Sequence, residues 1–177
     1  MGRIIFITGG VRSGKSSYAV KLAGKMNREV IFLATGSAKD EEMRKRISVH
    51  RKARPSHWET IEEGKDLASV LSNIKSPSKI LIIDCLTFLV SNLLLSHYTE
   101  ESILKSIEEV AKLILKSTHT AIVVSNEVGW GVVPNSSLGR KFRDVLGKAN
   151  QMMAEYAQEV YLMVSGIPVK LKYEKGA

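Results

Sequence analysis

Residues Gly9 to Ser16 read Gly-Gly-Val-Arg-Ser-Gly-Lys-Ser, and this octet constrains the fold more than any other stretch of the chain. The spacing Gly-x-x-x-x-Gly-Lys-Ser is met by Gly9, Gly14, Lys15 and Ser16, with an apolar run, Ile4-Ile5-Phe6-Ile7, ahead of it and a helical segment, Ser17 to Lys25, behind it. Glycines let the backbone turn sharply and aim several N–H groups at a polyphosphate. The following helix adds the partial positive charge of its N-terminus. Lys15 supplies a mobile cation for the outer phosphates and Ser16 a hydroxyl for Mg²⁺. A plain glycine turn between strand and helix is the alternative, and the strand–loop–helix context favours the phosphate cradle.

Short β-rich runs alternate with helical ones along the whole chain. Expected strands are Arg3–Thr8, Glu29–Ala34, Lys79–Asp84, Thr120–Ser125, Glu159–Val164 and Ile167–Lys172. The first four are rich in Ile, Val, Leu and Phe with little alternation, as suits strands covered on both faces. Expected helices are Gly14–Lys25, Asp40–Ala53, Glu62–Asn73, Leu86–Ser96, Glu100–Ser117 and Leu138–Gln158. The pattern predicts one α/β domain over residues 1–177, doubly wound in the manner of P-loop NTPases. Its sheet is mostly parallel with helices on both faces. Gly166 and Pro168 separate the last two runs, so the final strand is a candidate antiparallel edge. Ligands in such folds gather at the carboxyl ends of the strands. The phosphate loop, Thr35-Gly36-Ser37, Asp84 and Asn126-Glu127 should therefore face one crevice.

The 177 residues suffice for one domain with a proper core. No apolar stretch is long enough to span a bilayer, and the chain runs straight into a strand, so neither membrane insertion nor a signal peptide is expected. Cys85 is the single cysteine, which excludes an internal disulfide and suits a reducing cytoplasm. The net charge of +8 is concentrated in Arg44–Arg54, Arg140–Lys148 and the C-terminal tail. Aromatic residues are sparse and not interleaved with these cations, which argues for acidic metabolites or polyphosphates over nucleic acid as partners.

Three further constellations carry chemistry. Lys79-Ile-Leu-Ile-Ile-Asp84 is an apolar strand ending in a carboxylate, the second acidic element expected beside a phosphate loop, for Mg²⁺ or its waters; a strand-terminal Asp also serves simply as a helix cap. In Ser125-Asn-Glu-Val-Gly-Trp-Gly131, Glu127 can hold Mg²⁺ through water, orient a substrate hydroxyl or accept its proton. Trp130 either contacts a ligand or plugs the edge of the core. The segment from Asp40 to Pro55 begins acidic and ends basic, matching a helix dipole at both ends. Met43, Ile47 and His50 share one face of it. His50 is then either a histidine at the rim of a packed face or a nucleophile among Arg46, Arg51 and Arg54. Those cations disfavour protonation and keep the imidazole neutral, able to take up a phosphoryl or nucleotidyl group. His57, beyond Pro55 and beside Trp58, reads as a structural residue packed in a turn.

Taken together, Thr8–Ser16, Glu42–Glu62, Asp84–Thr87 (Asp-Cys-Leu-Thr), Ser125–Pro134 (Ser-Asn-Glu-Val-Gly-Trp-Gly-Val-Val-Pro), Leu138–Gln151 and Val164–Lys172 resemble the bifunctional adenosylcobinamide kinase / adenosylcobinamide-phosphate guanylyltransferase family of cobalamin biosynthesis. The stretch from His50 to Trp58 and the Asn-Glu-Val-Gly-x-Gly-x-Val-Pro loop are far more specific than the phosphate loop. The resemblance implies phosphorylation of the aminopropanol hydroxyl of adenosylcobinamide by ATP or GTP, then transfer of GMP from GTP to that phosphate. The products are adenosylcobinamide-GDP and pyrophosphate. It implies a guanylylated histidine at His50; Lys15 and Glu127, read from the phosphate loop and the loop after the fourth strand, are the other catalytic candidates. The implied nucleotide contacts are Gly9, Gly10, Val11, Arg12, Ser13, Gly14, Lys15 and Ser16, then Thr35, Gly36 and Ser37, then Arg51, Lys52, Ala53 and Arg54, with Glu62 and Asp84. Ser16 and Asp84 are the metal candidates for Mg²⁺, and a homo-oligomer, a trimer, is implied. The alternative is a simple P-loop small-molecule kinase with no covalent intermediate.

Overall fold

Ile4, Ile5, Phe6 and Ile7 are all buried, two on each face of β1 (Arg3–Gly9). β-branched and aromatic side chains favour the pleated backbone, and burial on both faces demands helices above and below. The computed structural model describes residues 1–36, 41, 51, 54–75 and 77–173. Among these, β2 (Val30–Ala34), β3 (Glu59–Glu62), β4 (Ile80–Asp84), β5 (Thr120–Val124), β6 (Glu159–Val164) and β7 (Ile167–Lys172) join β1 in one sheet. Its order is β3-β2-β4-β5-β1-β6-β7. Every neighbouring pair is parallel except β6–β7. The expected antiparallel edge is thus present. Ser165 and Gly166, both at positive φ, turn the hairpin.

One face of the sheet packs on α2 (Leu67–Asn73), α3 (Leu86–Leu95), α4 (Glu100–Lys116) and α5 (Ser137–Tyr156). Ile4, Phe6, Leu33, Ile83 and Val123 meet Leu89, Ile107, Leu146 and Met153 there. The other face carries Ile5, Ile7, Phe32, Ile82 and Val124 against Ala19 and Ala23 of α1 (Lys15–Gly24). Helix starts follow ordinary capping chemistry. Asp66 accepts from Ser69 N–H, Thr99 from Ser102 N–H and Ser136 from Gly139 N–H. Glu100 and Glu101 in the first turn of α4 and Lys116 in its last complement its dipole. No helix of the described residues is long and apolar enough to cross a membrane.

One expected helix starts late, and one strand was not expected. The helix anticipated over Glu62–Asn73 begins only at Leu67, and Glu59-Thr-Ile-Glu62 is a strand beside β2. Glu63 forces the break, because its carboxylate accepts from Lys65 N–H at 2.7 Å and Asp66 N–H at 3.0 Å and so closes a turn. Four residues at a sheet edge leave no readable alternation, so the strand is set by pairing rather than by local sequence. The helix expected over Asp40–Ala53 lies largely outside the described residues.

β1 feeds α1 and then β2 on one side, whereas β5 feeds α5 and then β6 on the other. The chain therefore diverges between β1 and β5, and their carboxyl ends are where folds of this kind place ligands.

Candidate functional site

Three positive-φ residues shape the loop after β1: Gly9 at 148°, Arg12 at 56° and Gly14 at 94°. A Cβ on Gly9 would lie 2.6 Å from the Met163 carbonyl oxygen, and one on Gly14 would lie 3.2 Å from the Gly166 backbone. Glycine is required at both for conformation and for space. Ser13 accepts at its carbonyl from Gly166 N–H at 3.0 Å, which ties the loop to the β6–β7 turn. α1 then starts at Gly14 with no side chain capping it, so its first N–H groups are left to the loop's concave side. Ser16 sits half-buried in that first turn, and Val11 and Arg12 are exposed at the crest.

Lys15 is buried, and its ammonium donates to the Gly10 carbonyl at 2.5 Å and to Ser13 Oγ at 3.5 Å. Burial lowers its pKa, while Cys85 and Asp84 nearby act to raise it. The Asp84 charge thus reaches across β5, which separates β4 from β1 in the sheet. That spacing leaves about 10 Å, two strand separations, between the strand ends that bear the loop and the carboxylate.

Glu62 and Asp84 flank Ala34 in register on its two neighbouring strands. All three face the α1 side, as do Phe32 and Ile82 two residues earlier. Arg54 occupies the same face. Its guanidinium carbon lies 3.3 Å from the centroid of the Phe32 ring. Burial lowers the Arg54 pKa, Asp84 raises it, Arg51 lowers it and Glu62 raises it, so all four charges are within electrostatic reach. Arg51 itself is exposed.

Thr35 is wholly buried, and its hydroxyl bridges backbone groups of Cys85, donating to the carbonyl at 2.6 Å and accepting from N–H at 2.7 Å. Asn92 Nδ2 donates to the carbonyls of Thr35 at 2.9 Å and Gly64 at 3.2 Å. The loops after β2, β3 and β4 are thereby stapled together, with Gly36 lying against the Phe88 ring. A second buried network holds the loop after β5. Ser125 Oγ donates to Asn150 Oδ1 at 2.6 Å, Asn150 Nδ2 donates to the Asn126 carbonyl at 3.0 Å, and Asn126 N–H donates to Thr87 Oγ1 at 2.8 Å. Glu127 is half-buried, with Oε1 accepting from Gly129 N–H at 2.9 Å.

The sequence-derived residues Gly9 to Ser16, Thr35, Gly36, Arg54, Glu62, Asp84 and Glu127 thus converge on one edge of the sheet. His50, Ser37, Lys52 and Ala53 lie outside the described residues. The structure decides one open alternative and corrects one expectation. Trp130 does not plug the core: it is 75% exposed, because Val128 takes the inward position in that loop. His57 stands in a turn edge-on to Trp58 but is exposed rather than packed. Among the polar residues that position the loops, Asn92 lies in no motif and a lone Asn within an apolar helix face is its only sequence signal, whereas Thr87 and Asn150 fall inside the family-like stretches Asp84–Thr87 and Leu138–Gln151 without their positioning role being legible there. Among the described residues no group of three or more His, Cys, Asp or Glu side chains could hold a metal by itself.

The family described as cobinamide kinase / cobinamide phosphate guanyltransferase matches residues 5–171. The chain is 38% identical to the bifunctional adenosylcobalamin biosynthesis protein CobU of Escherichia coli K12, across 96% of this chain and 99% of the relative. It is 40% identical to the bifunctional adenosylcobalamin biosynthesis protein CobP of Pseudomonas aeruginosa, across 95% and 96%. Among solved structures, a KaiC-like protein of Pyrococcus horikoshii covers 91% of this chain and 70% of its own at TM-score 0.52 and 14% identity. An ATPase of a bacterial type III secretion system covers 92% and 51% at TM-score 0.57 and 13% identity. These structural likenesses bear on the fold alone.

Proposed function

The chain belongs to the cobinamide kinase / cobinamide phosphate guanyltransferase family, and from that premise we propose that it carries out both reactions on adenosylcobinamide. In the first, the aminopropanol hydroxyl attacks the γ-phosphorus of ATP or GTP and the nucleoside diphosphate leaves. In the second, a His50 nitrogen attacks the α-phosphorus of GTP, the bond to the β-phosphate breaks and pyrophosphate leaves. A phosphate oxygen of adenosylcobinamide phosphate then attacks the histidine-bound phosphorus, the P–N bond breaks, and adenosylcobinamide-GDP results. The protein works as a homotrimer in this reading.

Each residue has a defined task. The backbone of Gly9 to Gly14 and the ammonium of Lys15 hold the phosphate chain and the charge that develops on it. Arg51 and Arg54 clamp the nucleotide opposite the loop, beside Glu62 and Gly36, and Thr35 holds that edge in place through its bonds to Cys85; Ser37, Lys52 and Ala53 are the further nucleotide contacts that the family likeness implies. Glu127 orients the acceptor hydroxyl and takes its proton. Mg²⁺ fits the donors at this edge. Ser16 offers a hydroxyl and Asp84 a carboxylate, two hard oxygens where phosphate oxygens and water complete the shell, the usual manner of holding this ion. When bound, it neutralises charge on the transferring phosphates.

The observation that carries the reading is the position of Arg54. The guanidinium stacked on Phe32, within reach of Asp84 and Glu62, ends the basic segment that contains His50. That segment therefore terminates at the same strand ends as the phosphate loop. Mass spectrometry after incubation with GTP and Mg²⁺ tests it. The expected result is a GMP mass on the His50 peptide, acid-labile and base-stable, lost in His50→Ala. An adduct that persists in that variant or maps elsewhere removes His50 from the mechanism. ATP consumption with cobinamide and no adduct at all leaves a simple kinase.

A further inference from the structure

The loop from Glu127 to Asn135 is tied down at both ends, and beyond the inward-packed Val128 its Trp130, Val132 and Val133 side chains are exposed. Glu127 N–H donates to the Gly9 carbonyl at 2.9 Å, so the loop begins hydrogen-bonded to the phosphate cradle. At the far end, Arg140 Nη1 donates to the carbonyls of Pro134 at 3.0 Å and Asn135 at 2.7 Å. Between these ties Trp130 is 75% exposed, Val132 is 93% exposed, and Val133 and Leu138 are more than half or about half exposed. Val11, at the crest of the phosphate loop, is exposed as well. A protein of net charge +8 that handles phosphates has here a run, Gly129 to Pro134, without a single charge. A run of exposed apolar side chains on a loop fastened at both ends marks a binding face.

We propose that this face receives the corrin macrocycle of the acceptor, with Trp130 lying against the ring and Val132 and Val133 beneath it. The inference builds on the family reading above, which makes the acceptor a corrinoid. The chemistry of that acceptor matches the surface. A corrin ring presents broad apolar faces, and its amide side chains are neutral at the rim. It needs aromatic and aliphatic contacts with backbone hydrogen bonds, not cations. The position matches too. An acceptor hydroxyl in line with a phosphate in the cradle leaves the bulk of its molecule outside the mouth, beside a loop fastened to Gly9. The competing occupant is a second copy of the chain. A different surface suits that role better: Ile167, Val169 and Leu171 lie exposed along β7, the open edge of the sheet, where backbone pairing is also on offer. The loop has no such edge.

The test uses the full chain, with cobinamide and cobinamide phosphate as probes. Trp130→Ala and Val132→Ser should each raise the KM for the corrinoid at least tenfold, with a smaller change in kcat. GMP labelling by GTP, which involves no acceptor, is the control for an intact fold and nucleotide site. In a second arm, Trp58→Phe leaves Trp130 as the only tryptophan, and its fluorescence should be quenched saturably by cobinamide, whose ring absorbs in the emission band. A corrinoid KM within twofold of native in the Trp130→Ala protein overturns the proposal while leaving the family reading intact. So does an unchanged KM with loss of the oligomer, which assigns the face to copies of the chain. A native protein that turns over no corrinoid overturns the reading and this proposal together.

Discussion

Glu127 donates its backbone N–H to the carbonyl of Gly9 at 2.9 Å, so the loop after β5 and the phosphate loop after β1 are parts of one hydrogen-bonded edge. Gly9 is held in that position by geometry that no other residue tolerates. Its φ is 148°, and a Cβ would come within 2.6 Å of the Met163 carbonyl and 2.9 Å of Ser13 Oγ. Its neighbour Gly10 is different, since a Cβ there meets nothing within 4 Å. Gly9→Ala should cost about 2 kcal/mol, a Tm drop of roughly 4–8 °C, and lower triphosphate affinity more than tenfold. Gly10→Ala should leave Tm within about 2 °C of native. Calorimetry on the two variants checks this, and equal losses in both would show that the Gly9 backbone is not what limits the site.

Asn150 makes the corresponding prediction for the loop after β5. It accepts from Ser125 Oγ and donates to the Asn126 carbonyl from within α5. Asn150→Ala strands both groups in a buried site, which costs about 2 kcal/mol. It also frees the residue next to Glu127. Urea unfolding should show the loss, and kcat of the kinase step should fall further than stability alone explains. A double cycle with Ser125→Ala should be non-additive by at least about 0.5 kcal/mol. Additivity would mean that the two residues do not share the bond.

Most of the frame was legible in the sequence, for identifiable reasons. Buried parallel strands such as Ile4–Ile7 and Ile80–Ile83 announce themselves as uninterrupted apolar runs, and the parallel rule then sends Gly9, Thr35, Asp84 and Glu127 to one edge. What escaped depends on contacts distant in sequence. Asn92 reaches Thr35 across 57 positions, and Asn150 reaches Ser125 across 25; neither spacing has a local signature. β3 escaped because four edge residues owe their conformation to β2. The sequence leaves Trp130 open between ligand contact and core plug, because hydrophobicity does not distinguish an apolar residue that packs, as Val128 does in this loop, from one that is presented.

Away from the site, Glu159 is expected to contribute to the acid limb of stability. It sits at the start of β6, held by Arg3, by Lys170 Nζ at 2.5 Å and by the Tyr161 hydroxyl at 2.5 Å. Burial raises its pKa, but the bonds from Lys170 and Tyr161 and the charges of Lys170 and Arg3 outweigh it, and the net shift is downward. Tyr161 is correspondingly pushed up to about 12. A carboxyl whose folded pKa lies below its unfolded value of about 4.3 stabilises the fold above that value, and the contribution fades as pH falls through the folded pKa. Glu159→Gln should therefore lower stability at pH 7 and flatten its decline below about pH 4. Denaturant midpoints measured across that range decide it; parallel curves for the two proteins would exclude Glu159 as a source of the acid dependence.

Arg54 is the residue through which the basic segment meets the sheet, and its role needs a flat cation. The guanidinium stacks 3.3 Å above Phe32, which an ammonium does not reproduce, and it answers two carboxylates, Glu62 and Asp84, set on strands either side of Ala34. Lysine would keep the charge but lose the stacking and the fork of donors. Arg54→Lys should raise the GTP concentration for half-maximal protein labelling about tenfold, equivalent to about 1.4 kcal/mol, with the final extent of labelling preserved. Arg54→Met should do worse, since it leaves Asp84 and Glu62 without their shared cation. Single-turnover labelling at graded GTP concentrations separates the variants. If lysine proves as good as arginine, the planar stack on Phe32 plays no part in holding the nucleotide, and charge alone accounts for the position.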